Sequence, residues 1–129
     1  MILAIKTAEV EAELYLVDLD SSAVLATEKW TAGRELLDGL LTKIQDLLTD
    51  VGFSQLSGLI VFTGPGSFTG LRIGISTMNA IAYAEKIPIV GATGVDWLKV
   101  GLGRLRGGAD DKLVMPEYGG EANISTPKK

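Results

Sequence analysis

Three phases of hydrophobic and polar spacing follow one another along the chain. Ile2 to Ile5 is a short apolar run, and Leu14, Leu16 and Leu19 then alternate loosely within Glu13–Leu19. After the turn signal Asp20-Ser21-Ser22, Ala23 to Trp30 is again of extended character. This period-two pattern with tight connections predicts three strands in an antiparallel meander. From residue 34 the period lengthens. Leu36, Leu37, Leu40, Leu41, Ile44, Leu47 and Leu48 recur at helical spacing, which predicts a helix over 34–51 stopped by Gly52. Leu59-Ile60-Val61-Phe62 is uniformly apolar and bounded by glycine, the pattern of a strand covered on both faces. A second helix is predicted over 69–85, with Leu71, Ile73, Ile75, Met78, Ile81 and Tyr83 placed nearly all round it. Pro88-Ile89-Val90 reads as a further strand. Thr93 or Asp96 can cap a third helix through Trp97, Leu98, Val100 and Leu102.

Beyond Arg104 the character changes. Residues 106–111 read as a polar loop, Lys112 to Met115 as one last short strand, and 119–129 as a polar tail. The expected division is therefore 1–103 as a folded unit and 104–129 as loop, short strand and tail. Strands followed by strand–helix–strand–helix predict an α/β fold with a mixed sheet and helices packed on it. The strands at 59–62 and 88–90 flank a helical crossover and should run parallel.

Composition narrows the chemistry. The chain has 129 residues and 47% hydrophobic content, enough for one domain and its core. The formal charge of −4 makes it a poor nucleic-acid binder by itself, since phosphate contacts need clustered Lys and Arg. It contains no histidine and no cysteine, which removes Cys–His nucleophiles and Cys/His zinc sites. Nothing approaches ~18 uninterrupted apolar residues, so no membrane span or long signal segment is expected and the cytoplasm is the default.

The most specific stretch is Thr63-Gly64-Pro65-Gly66-Ser67-Phe68-Thr69-Gly70-Leu71-Arg72-Ile73-Gly74, set between a buried strand and a helix. A glycine-rich turn there aims N–H groups and a helix dipole at an anion, so Gly64, Gly66, Ser67 and Thr69 are weak candidates for phosphate. It is neither a Walker A loop nor a dinucleotide fingerprint, and a sharp turn needing special backbone angles explains it equally. Glu9, Glu11 and Glu13 can be read as metal or acid–base carboxylates, but a charged hairpin edge is the simpler reading. Gly70 and Gly74, beside Thr77, Met78 and Ile81, either pack on the sheet or let another helix approach. Arg72 sits unfavourably in a first helical turn, which points to a phosphate, a partner carboxylate or one of the chain's own acids. Trp30 and Trp97 read as core or rim anchors.

Gly64 to Gly74 resembles the signature of the TsaB (YeaZ) family, a subunit of the bacterial machinery that makes threonylcarbamoyladenosine (t6A) in tRNA. Ile2 to Ala8, Arg34 to Leu48, Ile87 to Gly91 and Pro116-Glu117-Tyr118 are similar to further stretches of that family. The resemblance implies an actin-like (ASKHA, ribonuclease H-like) subdomain and a short, one-subdomain form. It implies a non-catalytic subunit that binds the catalytic TsaD through its first two helices, with the ATPase TsaE joining. A homodimer is implied when the chain is alone. On that basis Leu37, Leu40, Leu41, Ile44, Gly70, Arg72, Gly74, Thr77, Met78 and Ile81 are the expected interface. ATP and Mg²⁺ would serve partner subunits, with no cofactor, metal or catalytic residue in this chain, and tRNA would be met only indirectly. Lys6 stands where the family places an Asp, and lysine cannot coordinate Mg²⁺. The alternative is a small phosphate- or nucleotide-binding ATPase using Gly64–Gly70.

Overall fold

The structure is a computed structural model that describes residues 1–32 and 35–116. Its elements are β1 (Ile2–Lys6), β2 (Glu11–Val17), β3 (Val24–Thr31), α1 (Leu36–Leu47), β4 (Gly58–Phe62), α2 (Phe68–Glu85), β5 (Ile89–Ala92) and α3 (Trp97–Arg106). The sheet order is β3-β2-β1-β4-β5. β1, β2 and β3 form the expected antiparallel meander, while β4 runs parallel to both β1 and β5.

Side-chain alternation decides which helix covers which face. Ile60, Phe62 and Tyr15 point to α3: Gly101 sits against Ile60, and Trp97 packs on Phe62 and Tyr15 at ring separations of 5.9 and 6.1 Å. The other face meets α1 and α2, where Lys43 of α1 reaches Glu28 of β3 and α2 rests on Thr7. β4 is buried along its whole length, as its unbroken apolar run predicts. Trp97 belongs to the core, and the half-buried Trp30 lies beneath the Lys43 ammonium at 5.5 Å, so both tryptophans anchor the sheet.

Four expectations change. α1 ends at Leu47, not at 51, because the Thr49 hydroxyl takes the Gln45 and Asp46 carbonyls and the chain tightens into a turn. Gly52, at φ +80°, closes that turn with a 2.7 Å bond to the Leu48 carbonyl. β2 is not an edge strand, since β3 lies outside it; Glu11 and Glu13 stand opposite Thr31 and Lys29. Lys112–Met115 is not a strand. Lys112 has φ +64°, and Val114 is held by the Asn79 side-chain amide at 2.9 and 3.0 Å instead of a ladder. Finally, α3 runs on to Arg106, past the expected change of character at 104. Arg34 and the stretches expected at 117–118 and 119–129 lie outside the described residues.

Candidate functional site

The glycine-rich turn is bound to the β1–β2 connection of its own chain. The Ser67 N–H donates to the Ala8 carbonyl at 2.8 Å, and the Thr7 hydroxyl donates to the Gly70 carbonyl at 2.6 Å. The Ser67 hydroxyl accepts the Gly70 N–H, capping α2. A Cβ at Gly70 would lie 2.3 Å from the Thr7 carbonyl oxygen, and one at Gly74 2.2 Å from the Thr7 hydroxyl. Gly66 is equally tight against Ala8, and Gly64 has φ +129°. The two glycines four apart therefore seat α2 on its own sheet, which corrects their expected place in a partner interface.

As an anion cradle the turn is poorly furnished. The Ser67 and Gly70 N–H groups already have partners, and the cleft beside Ser67 and Thr69 has Glu9 as its charged lining residue. Lys6, the nearest family-marked position, lies 4.0 Å from Glu9 and 4.7 Å above the Phe62 ring. The Tyr15 hydroxyl donates to Glu13 at 2.6 Å, and burial first, then this carboxylate, pushes the phenol above its usual range. Among the described residues no three His, Cys, Asp or Glu side chains are grouped to hold a metal.

A different site opens between α1 and α2. It is an apolar groove of about 500 Å³, with Leu40 and Ile81 at its floor. Leu37, Leu41 and Phe53 form one wall, and Thr77, Ala80 and Ala84 form the other; Glu85 alone brings a charge. Leu37 is 69% exposed and Leu41 49%, although both are leucines on an amphipathic helix that buries Leu36, Leu40 and Ile44. Opposite them, the small side chains of α2 leave room for a guest helix to come close.

Of the ten expected interface residues, Leu37, Leu40, Leu41, Thr77 and Ile81 converge on this groove. Ile44, Met78 and Gly74 are core, with Ile44 and Met78 wholly buried beneath the helices. Arg72 is exposed at the N-terminal end of α2, over the Phe68 ring at 5.1 Å. None of the four ion pairs among the described residues involves it, so the expected contact with an acid of its own chain is absent there. Phe53, Ala80 and Ala84 escaped the sequence reading. The stripe Thr77, Ala80, Ala84 does carry an i, i+3, i+7 signal, one residue out of phase with the Met78, Ile81 stripe.

Residues 30–100 match the family model for TsaD, tRNA N6-adenosine threonylcarbamoyltransferase. That stretch contains α1, α2 and the whole groove. The chain belongs to the TsaD/TsaB (YeaZ) family. It is 36% identical over 76 residues to the tRNA threonylcarbamoyladenosine biosynthesis protein TsaB of Escherichia coli, covering 57% of this chain and 33% of that protein. YeaZ from Pseudomonas aeruginosa superposes with a TM-score of 0.64 at 26% identity, over 71% of this chain and 43% of that one. Thermus thermophilus RuvC, at 10% identity and a TM-score of 0.55 over 74% of this chain and 65% of its own, shares the ribonuclease H-like fold. The chain spans a third or less of the curated TsaB and TsaD relatives it matches. Among the described residues no helix is long and apolar enough to cross a membrane.

Proposed function

We propose that this chain is a non-catalytic subunit of t6A synthesis that binds a TsaD-type catalytic subunit through the α1/α2 groove. The single observation that carries the reading is the pair of leucines, Leu37 and Leu41, left exposed over an apolar floor. Full burial of a leucine is worth about 1.5–3 kcal/mol, so a guest helix pair that completes a four-helix bundle has a substantial driving force. The matched TsaD-type segment supports a partner of the same construction, because two such helix pairs offer each other like surfaces.

The chemistry then belongs to the partner. The catalytic subunit transfers threonylcarbamoyl to tRNA adenosine, and ATP with Mg²⁺ is used by the catalytic subunit and by TsaE. With a net charge of −4 this chain meets tRNA only through the complex. When alone it covers the groove with a second copy. Reconstituted tRNA modification by the TsaD of the same organism, with and without this chain, tests the proposal. Modification that depends on the chain and fails with Leu37→Glu/Leu41→Glu is the expected result. Modification at full rate without it, or full rescue by the double variant, overturns it.

A further inference from the structure

β5 is an edge strand, Ile89-Val90-Gly91-Ala92, with no charged residue of the kind that usually protects an edge. Residues 89 and 91 direct their backbone outward, and all four of their polar groups are met by one cluster. The Ile89 N–H donates to Asp110 Oδ1 at 3.2 Å, and the Asp111 N–H donates to the Ile89 carbonyl at 2.8 Å. The Gly91 N–H donates to Asp111 Oδ2 at 2.8 Å, and Arg104 of α3 donates to the Gly91 carbonyl at 3.0 Å. Arg104 also grips both Asp111 oxygens, at 2.8 and 2.6 Å. The donors and acceptors of a sixth strand are thus supplied by two carboxylates, one amide and one guanidinium.

We propose that Arg104, Asp110 and Asp111 form a catch that keeps the β5 edge shut, and that the edge, once released, pairs antiparallel with β5 of a second copy. The occupant follows from the strand itself. Under a two-fold axis Ile89 stands opposite the mate's Gly91 and Gly91 opposite its Ile89, so both residues exchange N–H and carbonyl bonds with a like strand. Val90 meets Val90 without a charge between them, and Gly91 adds no side chain to hold the strands apart. The contact lies on the opposite side of the sheet order from the meander and does not depend on the α1/α2 groove.

The catch is acid-sensitive by construction. Asp111 faces Arg104 from α3 and the Gly91 N–H from β5, while in its own loop Lys112 pairs with Asp110 at 3.8 Å. The Arg104 hydrogen bonds, chiefly, hold its carboxyl below the usual range against the opposing effect of burial. Protonation as pH falls through that lowered value removes the grip on both Arg104 and Gly91.

The experiment uses the full chain in a Leu37→Glu/Leu41→Glu background, so that pairing through the groove is silent. Adding Asp111→Ala should produce concentration-dependent self-association in sedimentation, with the Ile89 and Gly91 amides exchanging more slowly as association proceeds. A folded variant that stays monomeric at every concentration overturns the proposal. Should Asp111→Ala fail to fold, the unaltered Asp111 chain is followed as the pH is lowered. At the lowest protein concentration, Ile89 and Gly91 exchange, corrected for intrinsic rates, should then accelerate together by roughly tenfold or more relative to Val61, and at higher concentration association should slow both again. Exchange of all three amides in step, or an open edge without association, contradicts it.

Discussion

The glycine-rich turn and the α1/α2 groove differ in what they leave unused. In the turn, the most distinctive part of the sequence, the Ser67 hydroxyl is consumed in capping α2, and the Thr7 hydroxyl, the Ala8 carbonyl and the close-packed Gly66, Gly70 and Gly74 in fastening it to the β1–β2 connection. The groove has no motif, yet it leaves Leu37 and Leu41 in water over a floor of Leu40 and Ile81. A motif of glycines and hydroxyls here records a demanding strand-to-helix junction. The apolar surface left over is recorded in leucines that the chain's own sheet does not cover.

Substitutions can break that contrast. Leu40→Ala, at a wholly buried floor position, should cost about 2–5 kcal/mol in urea unfolding, while Leu37→Ala should stay within about 0.5 kcal/mol. Equal costs at the two positions would erase the distinction between floor and wall. Gly70→Ala tests the turn. Helix propensity alone favours alanine by about 1 kcal/mol, but the new methyl meets a backbone carbonyl that cannot rotate away. A net loss of about 1–3 kcal/mol is expected, and a stabilised variant would mean that α2 is not seated as described.

Smaller effects sharpen it further. Asp111 has a depressed carboxyl, so its contribution to stability is fully present above the ordinary carboxylate value near pH ~4 and is lost as pH falls below it. Asp111→Asn should cost about 1–2 kcal/mol at neutral pH and flatten the acid limb of the stability curve; an unchanged limb would remove Asp111 from the account. Ser67→Ala should cost only about 0.5 kcal/mol, at the low end for a cap because the bond is 3.4 Å long.

Much of the fold was legible because local and global preferences agree. The apolar run at 59–62 has no solvent-facing position and became the fully buried β4, and the second helix falls within one residue of its expected start. The end of α1 was not legible, since Leu47 and Leu48 continue the helical period and only the Thr49 hydroxyl shows where the ladder stops. The phase of α2 was hidden by apolar residues all round it, so that Met78 was placed outside although it lies wholly inside. Alanines at 80 and 84 look like ordinary helix formers, and only the neighbouring Leu37 and Leu41 give them meaning. The Arg104–Asp111 catch joins a helix to a loop seven residues on and leaves no periodic trace.

Binding of the TsaD of the same organism, measured by calorimetry for the unaltered chain and for Leu37→Glu/Leu41→Glu, tests the central claim most directly. The account predicts saturable binding by the unaltered chain, weakened by at least about a hundredfold in a double variant whose unfolding midpoint is unchanged. Equal affinity of the two chains would place the contact elsewhere and contradict it.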